Sequence, residues 1–163
     1  MTLGSILRQV GRHGDAEQID QRASDGATDD AARAEALTSL AADAVGLADP
    51  KACVDRLTRA GRLVSAGDRR GLIRLSWVRA EHALLTDDPP AAVGHARLAL
   101  ADARGLGWQR HIAKSLLFLG AALEAARSAE ARLRLEEAAR IARDAGATPI
   151  ADAATGLLAR ARS

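Results

Sequence analysis

Apolar residues recur three and four apart along most of the chain. Leu116, Leu119, Ala122 and Leu123 form one such set, and Leu133, Ala138 and Ile141 another. This is the spacing of one face of an α-helix. No segment alternates with period two, and no Asn-Gly or Asp-Gly pair lies between β-branched runs, so strands and hairpins are not expected. The punctuation agrees. Asp49-Pro50, Asp88-Pro89 and Thr148-Pro149 each read as an N-cap followed by proline in the first turn, and Asp68 and Ser128 are weaker starts. Gly26, Gly67, Gly105 or Gly107, and Gly146 mark the opposite ends. The pattern predicts nine helices, at 2–11, 14–25, 29–46, 50–66, 69–86, 89–104, 108–126, 129–145 and 149–161.

The helices repeat. Small residues stand at Gly4, Ala41, Ala80 and Gly120, spaced by 37, 39 and 40. A second set, Ala16, Cys53, Ala92 and Ala131, is spaced by 37, 39 and 39. The residue before the first small one is Leu3, Leu40 and Leu119 in three copies, and Arg79 in the fourth. Each member of the second set is followed at +4 and +7 by a further pair: Asp20 and Ala23, Leu57 and Ala60, Ala96 and Ala99, Leu135 and Ala138. Two antiparallel helices cross closely only where side chains are small, and one hairpin alone cannot bury its apolar face. A fourfold register of this period therefore predicts stacked helical hairpins rather than a bundle with a coincidental alanine pattern. The expected units are 1–26, 28–66, 68–105 and 107–146, followed by a closing helix at 148–162 with Leu157 and Leu158 inward and Arg160 and Arg162 outward.

Leu3-Gly4, Gly11-Arg12, Ala16 and Ala23 resemble the tetratricopeptide repeat motif, as do Leu119-Gly120, Leu123, Ala131 and Ala138. The two middle copies are degenerate, and the spacing exceeds the family's usual 34 residues, as in divergent bacterial members. The resemblance implies an all-α, right-handed α-α superhelix of about four helix-turn-helix repeats forming a single domain over 1–163. It implies that the first helix of each hairpin lines a concave face where partners bind. By the family's numbering the first such helix is short by about a turn, so the expectation is a fragment of a longer array or a short first helix, with exposed apolar surface inviting self-association.

Composition narrows the picture only slightly. The chain has 163 residues, is 48% hydrophobic and only 2% aromatic; alanine and leucine do most of the packing, which suits helix on helix. The longest stretch free of Asp, Glu, Lys and Arg is Ser115–Leu123, too short for a membrane span of about 20 residues. No signal-peptide pattern opens the chain, and the one cysteine, Cys53, excludes an intramolecular disulfide, so a cytoplasmic location is expected. The net charge is only +2 despite a pI near 9.3. The bases are 21 arginines and two lysines, a balance that codon bias in a GC-rich bacterial genome would produce. Residues 1–50 carry net −5 and the remainder net +7, an asymmetry that could orient a partner.

No catalytic constellation stands out, and no cofactor or metal is expected. His13, His82, His95 and His111 are scattered over different helices without metal-ligand spacing. Glu136-Glu137 and Asp87-Asp88 are adjacent, so on a helix they point apart. Cys53 occupies a small-residue position and reads as packing. The chain therefore reads as non-enzymatic. By position in the resembled family, the concave face would carry Ser5 and Arg8; Glu35, Thr38, Ala42 and Val45; Arg74, Trp77, Glu81 and Leu84; and Lys114, Leu117, Ala121 and Glu124. Trp77 reads equally as an exposed anchor between Arg74 and Glu81 or as filler between repeats; Trp108 reads as a staple of a helix start into the core. The first expectation is a protein- or peptide-binding module using this groove. The second is a self-associating, dimeric scaffold. Nucleic-acid binding through Arg132, Arg140 and Arg143, which share a helix face, ranks last.

Overall fold

The computed structural model describes residues 2–160, and every regular element among them is a helix. In order these are α1 (Leu3–Gln9), α2 (His13–Asp25), α3 (Asp30–Gly46), α4 (Pro50–Leu63), α5 (Arg69–Leu85), α6 (Pro89–Gly105), α7 (Gln109–Ala125), α8 (Glu130–Asp144) and α9 (Thr148–Arg160). All nine predicted segments are present within one to three residues at each end. The predicted helix at 50–66 stops at Leu63 because Val64 is extended (ψ 123°). Thr148 lies inside α9 rather than capping it.

The turns follow from side-chain and backbone chemistry that recurs. Asp49, Asp68 and Asp88 accept the amide N–H of the residue three positions on, at 2.8–3.1 Å. Asp29 does the same for α3 at 2.8 Å. Within each hairpin the chain passes through one left-handed residue: Gly11, Ala48, Asp87 and Arg127. Each is seven positions after the small residue of its copy, so the backbone carries the register read from the sequence. At each turn the left-handed residue donates to the carbonyl three back, and the next residue donates to the carbonyl five back, as in Asp49 to Ala44 (2.9 Å), Asp88 to Ala83 (2.8 Å) and Ser128 to Leu123 (2.8 Å). That Schellman pattern satisfies the last carbonyls of the helix. Asp49 and Asp88 thus end one helix with their amide and begin the next with their carboxylate.

The helices pack as an all-α superhelix of repeated hairpins. Each A helix (α1, α3, α5, α7) packs on the B helix that follows it (α2, α4, α6, α8), and each B helix packs on the next A helix. A helices also pack directly on one another, α1 on α3, α3 on α5, α5 on α7 and α7 on α9, whereas among the described residues the backbones of the B helices stay apart and meet only through long side chains. The A helices therefore form the tighter, inner face, and the B helices splay apart outside. The small residues sit at the crossings: Ala16, Ala41, Cys53, Ala80 and Ala92 are fully buried, and a methyl on Gly120 would lie 2.5 Å from Leu135. Two apolar clusters run in series, one around Leu37, Leu40, Cys53, Leu57 and Leu75, the other around Ile73, Trp77, Ile112, Leu116 and Leu119.

Several expectations about single residues need correction. Ala23 is exposed and Ser24 takes the buried position on α2. Leu3 and Leu133 are exposed; Leu3 lies at the start of α1, and Leu133 points outward from α8 between Arg132 and Arg134. Leu157 and Leu158 are half-buried and Arg160 is exposed, whereas Arg162 lies outside the described residues. Trp108 immediately precedes α7 and is 38% exposed. Its ring lies 5.0 Å from that of His111, one turn along, so it covers the helix start from outside rather than anchoring it in the core.

Candidate functional site on the inner face of the A helices

The fourteen candidate groove residues all lie on A helices, but they are spent differently. Arg8 on α1 is drawn into an ion cluster. Its Nη1 pairs with Asp20 of α2 and, at 2.9 Å, with Asp43 of α3. Asp43 is fully buried, and its Oδ2 has no hydrogen-bond partner. Burial pushes the Asp43 carboxyl up to about 6, against the pull of Arg8 and with a further push from Asp20. Asp43 and Asp20 were not among the predicted site residues. The available signal was an aspartate set between Ala41 and Ala44 on a helix whose neighbours are apolar.

Glu35 and Arg74 bridge α3 to α5 as a direct ion pair, and Arg74 also donates to Ser39 Oγ at 3.1 Å. Arg70 reaches the same Glu35 at 3.5 Å. The indentation beside this bridge, between Thr38 and Val64, holds about 40 Å³, far below the volume of a small-molecule site. Thr38 itself is buried, with its hydroxyl donating to the Ala34 carbonyl at 2.8 Å, so it offers nothing to a ligand.

Trp77 is packing, not an exposed anchor. It is 7% exposed, and its Nε1–H donates to Ser115 Oγ of α7 at 2.8 Å. Its ring lies 5.4 Å from His111 and 6.1 Å from Phe118. Lys114 covers it from the groove side, with Nζ 4.6 Å above the ring centre and 5.6 Å from the Phe118 ring. The reason is positional: Trp77 sits where α5 meets α7, and an indole fills the gap between two repeats that alanine cannot fill. Ser115 and Phe118, which complete this arrangement, carried no sequence signal of their own.

Glu81 and Lys114 remain. Both are half-buried and face the same region from α5 and α7. Burial raises the Glu81 carboxyl above its ordinary range, opposed by Lys114 and then Arg8. Burial likewise lowers Lys114, opposed by Glu81, with Arg74 and Arg8 adding to the shift. The two attract one another through space, yet among the described residues neither forms an ion pair or a hydrogen bond. Leu117 is half-buried and packs against the core. Glu124 lies ten residues, about 15 Å, along α7 from Lys114, so it belongs to a different stretch of the face.

Away from the groove, Cys53 is fully buried, and burial pushes its thiol up to about 11, with Glu81 adding to the shift, so it is a protonated packing residue at neutral pH. No helix among the described residues is long and apolar enough to cross a membrane. No protein-family model matches the chain, and no curated protein matches it.

Proposed function

We propose that this chain is a non-enzymatic, tetratricopeptide-like interaction module that binds a peptide segment of a protein partner along the inner face of its A helices in the bacterial cytoplasm. The observation that carries this reading is the Glu81–Lys114 pair: a carboxylate and an ammonium, both partly desolvated and facing the same region, without an ion pair or hydrogen bond among the described residues, the ammonium resting over the Trp77 and Phe118 rings. An extended peptide offers both complements on one backbone, an N–H for Glu81 and a carbonyl for Lys114. Satisfying two desolvated charges strengthens such contacts relative to water. Arg74, two turns from Glu81 on α5, and Glu35 on α3 would set register. The indentation beside Glu35 and Arg74 holds only about 40 Å³, which favours an extended ligand over a compact one.

The test is a charge reversal, Glu81→Lys with Lys114→Glu, compared with wild type for capture of proteins from nuclease-treated lysate of the source cell. Circular dichroism checks that both are folded. A protein held by wild type and lost by the reversal supports the groove; equal capture overturns it. Trp77→Ala is unsuitable, because it would open the core.

A second reading has its own observation. Leu3, Ile6 and Val10 are 56%, 42% and 65% exposed and lie at helical spacing on one side of α1 and its C-cap. A second copy could cover this apolar stripe, giving a dimer. Sedimentation of wild type against Ile6→Glu reads it directly: a dimer that dissociates in the variant supports it, and a monomer at all concentrations sinks it. The arginines of α8 give less support to nucleic acid, since Arg132 pairs with Glu136 at 2.8 Å and Arg140 with Asp144 at 3.4 Å.

A further inference from the structure

The face of α5 opposite the groove carries an unexplained arginine. Five arginines among the described residues are half-buried: Arg8, Arg56, Arg74, Arg79 and Arg134. Four of them hold carboxylates, Arg8 on Asp20 and Asp43, Arg56 on Glu17, Arg74 on Glu35, and Arg134 on Glu130 and Glu137. Among the described residues Arg79 makes no ion pair and no hydrogen bond. It also stands where the other three copies of the repeat have leucine. A partly buried guanidinium without a counter-charge is costly, so replacing a core-compatible leucine by arginine here calls for a compensating anion.

The surroundings supply a place for one. Because the backbones of successive B helices stay apart, gaps open between them on the outer face. The α2/α4 gap is crossed by Arg56–Glu17 at 2.6 Å, and the α6/α8 gap by Arg97–Glu130 at 3.5 Å and Arg104–Glu137 at 2.8 Å. Among the described residues no ion pair crosses the α4/α6 gap. Instead a cleft of about 270 Å³ opens there, lined by Arg79 and His82 of α5, Thr86 just beyond its end, Thr58 of α4, and His95 and Asp88 at the α6 side. Gly61 of α4 makes room for the guanidinium: a methyl there would lie 2.8 Å from Arg79 Nη2. The two histidines that the sequence leaves on separate helices thus meet beside the one arginine that breaks the repeat.

We propose that the α4/α6 cleft is a phosphate-binding site, in which the Arg79 fork holds two oxygens of a phosphate group and the His95 imidazole a third, with His82 alongside. The donor count favours phosphate over carboxylate. Thr58 and Thr86 already donate to the carbonyls of Val54 (2.8 Å) and His82 (3.0 Å), and His82 Nε2 lies 3.2 Å from the Pro50 carbonyl. The free donors are therefore the guanidinium and the His95 ring, arriving from two helices. A planar carboxylate is satisfied by the fork alone; a tetrahedral dianion presents oxygens to both sides. Asp88 is the one acidic side chain lining the cleft, and its Oδ1 is taken by the Ala91 amide at 3.1 Å as the α6 cap. Burial lowers the His95 imidazole below its ordinary range; Arg79 and His82 add to this and Asp88 opposes it, while α4 contributes no ionisable side chain to the lining. A bound dianion reverses that shift.

The experiment compares thermal unfolding of wild type, Arg79→Leu and Arg79→Lys in sodium phosphate and in sodium chloride at equal ionic strength and pH. Expected are a saturable phosphate-specific rise in wild-type Tm, a higher Tm for Arg79→Leu than for wild type in chloride, and no phosphate-specific rise in that variant. Arg79→Lys, which keeps the charge and loses the fork, should bind phosphate at least tenfold more weakly. The His95 imidazole pKa, followed by NMR, should rise as phosphate is added to wild type. Glycerol 3-phosphate in place of inorganic phosphate identifies the source: tighter binding means a small phosphate ester fills the cleft, and equal or weaker binding means the free ion is held. Indistinguishable behaviour in phosphate and chloride overturns the site, as does a phosphate response retained by Arg79→Leu or undiminished in Arg79→Lys.

Discussion

Arg8 holds together three helices through one guanidinium nitrogen, and the two carboxylates it serves are both buried. Removing it leaves Asp20 and Asp43 facing each other without a counter-charge. Arg8→Ala should therefore cost about 3–5 kcal/mol in urea denaturation at pH 7. The same substitution on an exposed ion pair such as Arg140–Asp144 should cost under about 1 kcal/mol. Asp43 makes a separate prediction about pH. Its carboxyl is raised in the fold, to about 6, above the ordinary aspartate value near 3.9. Protonation thus favours the folded state; that contribution is complete below about pH 4 and is lost as pH rises through about 6. Asp43→Asn cannot titrate. Its stability relative to wild type should rise between pH 4.5 and 7.5, as read by denaturation at several pH values; a flat difference would mean that Asp43 stays ionised throughout.

At the scale of elements, the turn chemistry explains why the hairpins close. Three of the four left-handed hairpin residues are not glycine: Ala48 (φ 55°), Asp87 (φ 56°) and Arg127 (φ 54°). A side chain at such a backbone costs about 1–2 kcal/mol, and aspartate tolerates it better than alanine or arginine. Ala48→Gly and Arg127→Gly should each stabilise the chain by about 0.5–1 kcal/mol, after allowing for the extra freedom glycine gains on unfolding. Asp87→Gly should gain less. Thermal denaturation of the three single variants checks the order. A loss of stability at Ala48 or Arg127 would show that the turn is held by contacts of the side chain rather than by backbone conformation.

For the whole molecule, stability is distributed along a line. Each hairpin touches only its neighbours, so the ends should open before the middle. α1 is seven residues long and buries only Gly4, whereas α5 and α7 each bury six or more residues and lie inside the larger cluster. Amide hydrogen exchange should be fastest in α1, then in α9, and slowest in α5 and α7. Uniform exchange across all helices would mean that the array unfolds as one cooperative unit.

Helix positions and the repeat register were legible in the sequence because both depend on local rules. Capping aspartates, prolines in first turns and the spacing of small residues act over a few residues, and each recurs in several copies. The nine helices among the described residues and the four crossings follow from them. The groove and the outer cleft were legible only in part. Arg74 and Glu35, Glu81 and Lys114 were assigned to one face by register, and they do share it. Which of them are spent on each other was not readable, because ion pairs such as Arg8–Asp43 and Arg74–Glu35 join residues 35 to 39 positions apart. Their formation depends on how far one A helix is rotated against the next. For the same reason the pattern could not decide whether Trp77 faces solvent or fills the seam between α5 and α7. The meeting of Arg79, His82 and His95 likewise exists only because B helices splay while A helices touch. The linear order of residues sets which side chains lie on each face; the curvature of the stack decides which of those faces close and which stay open.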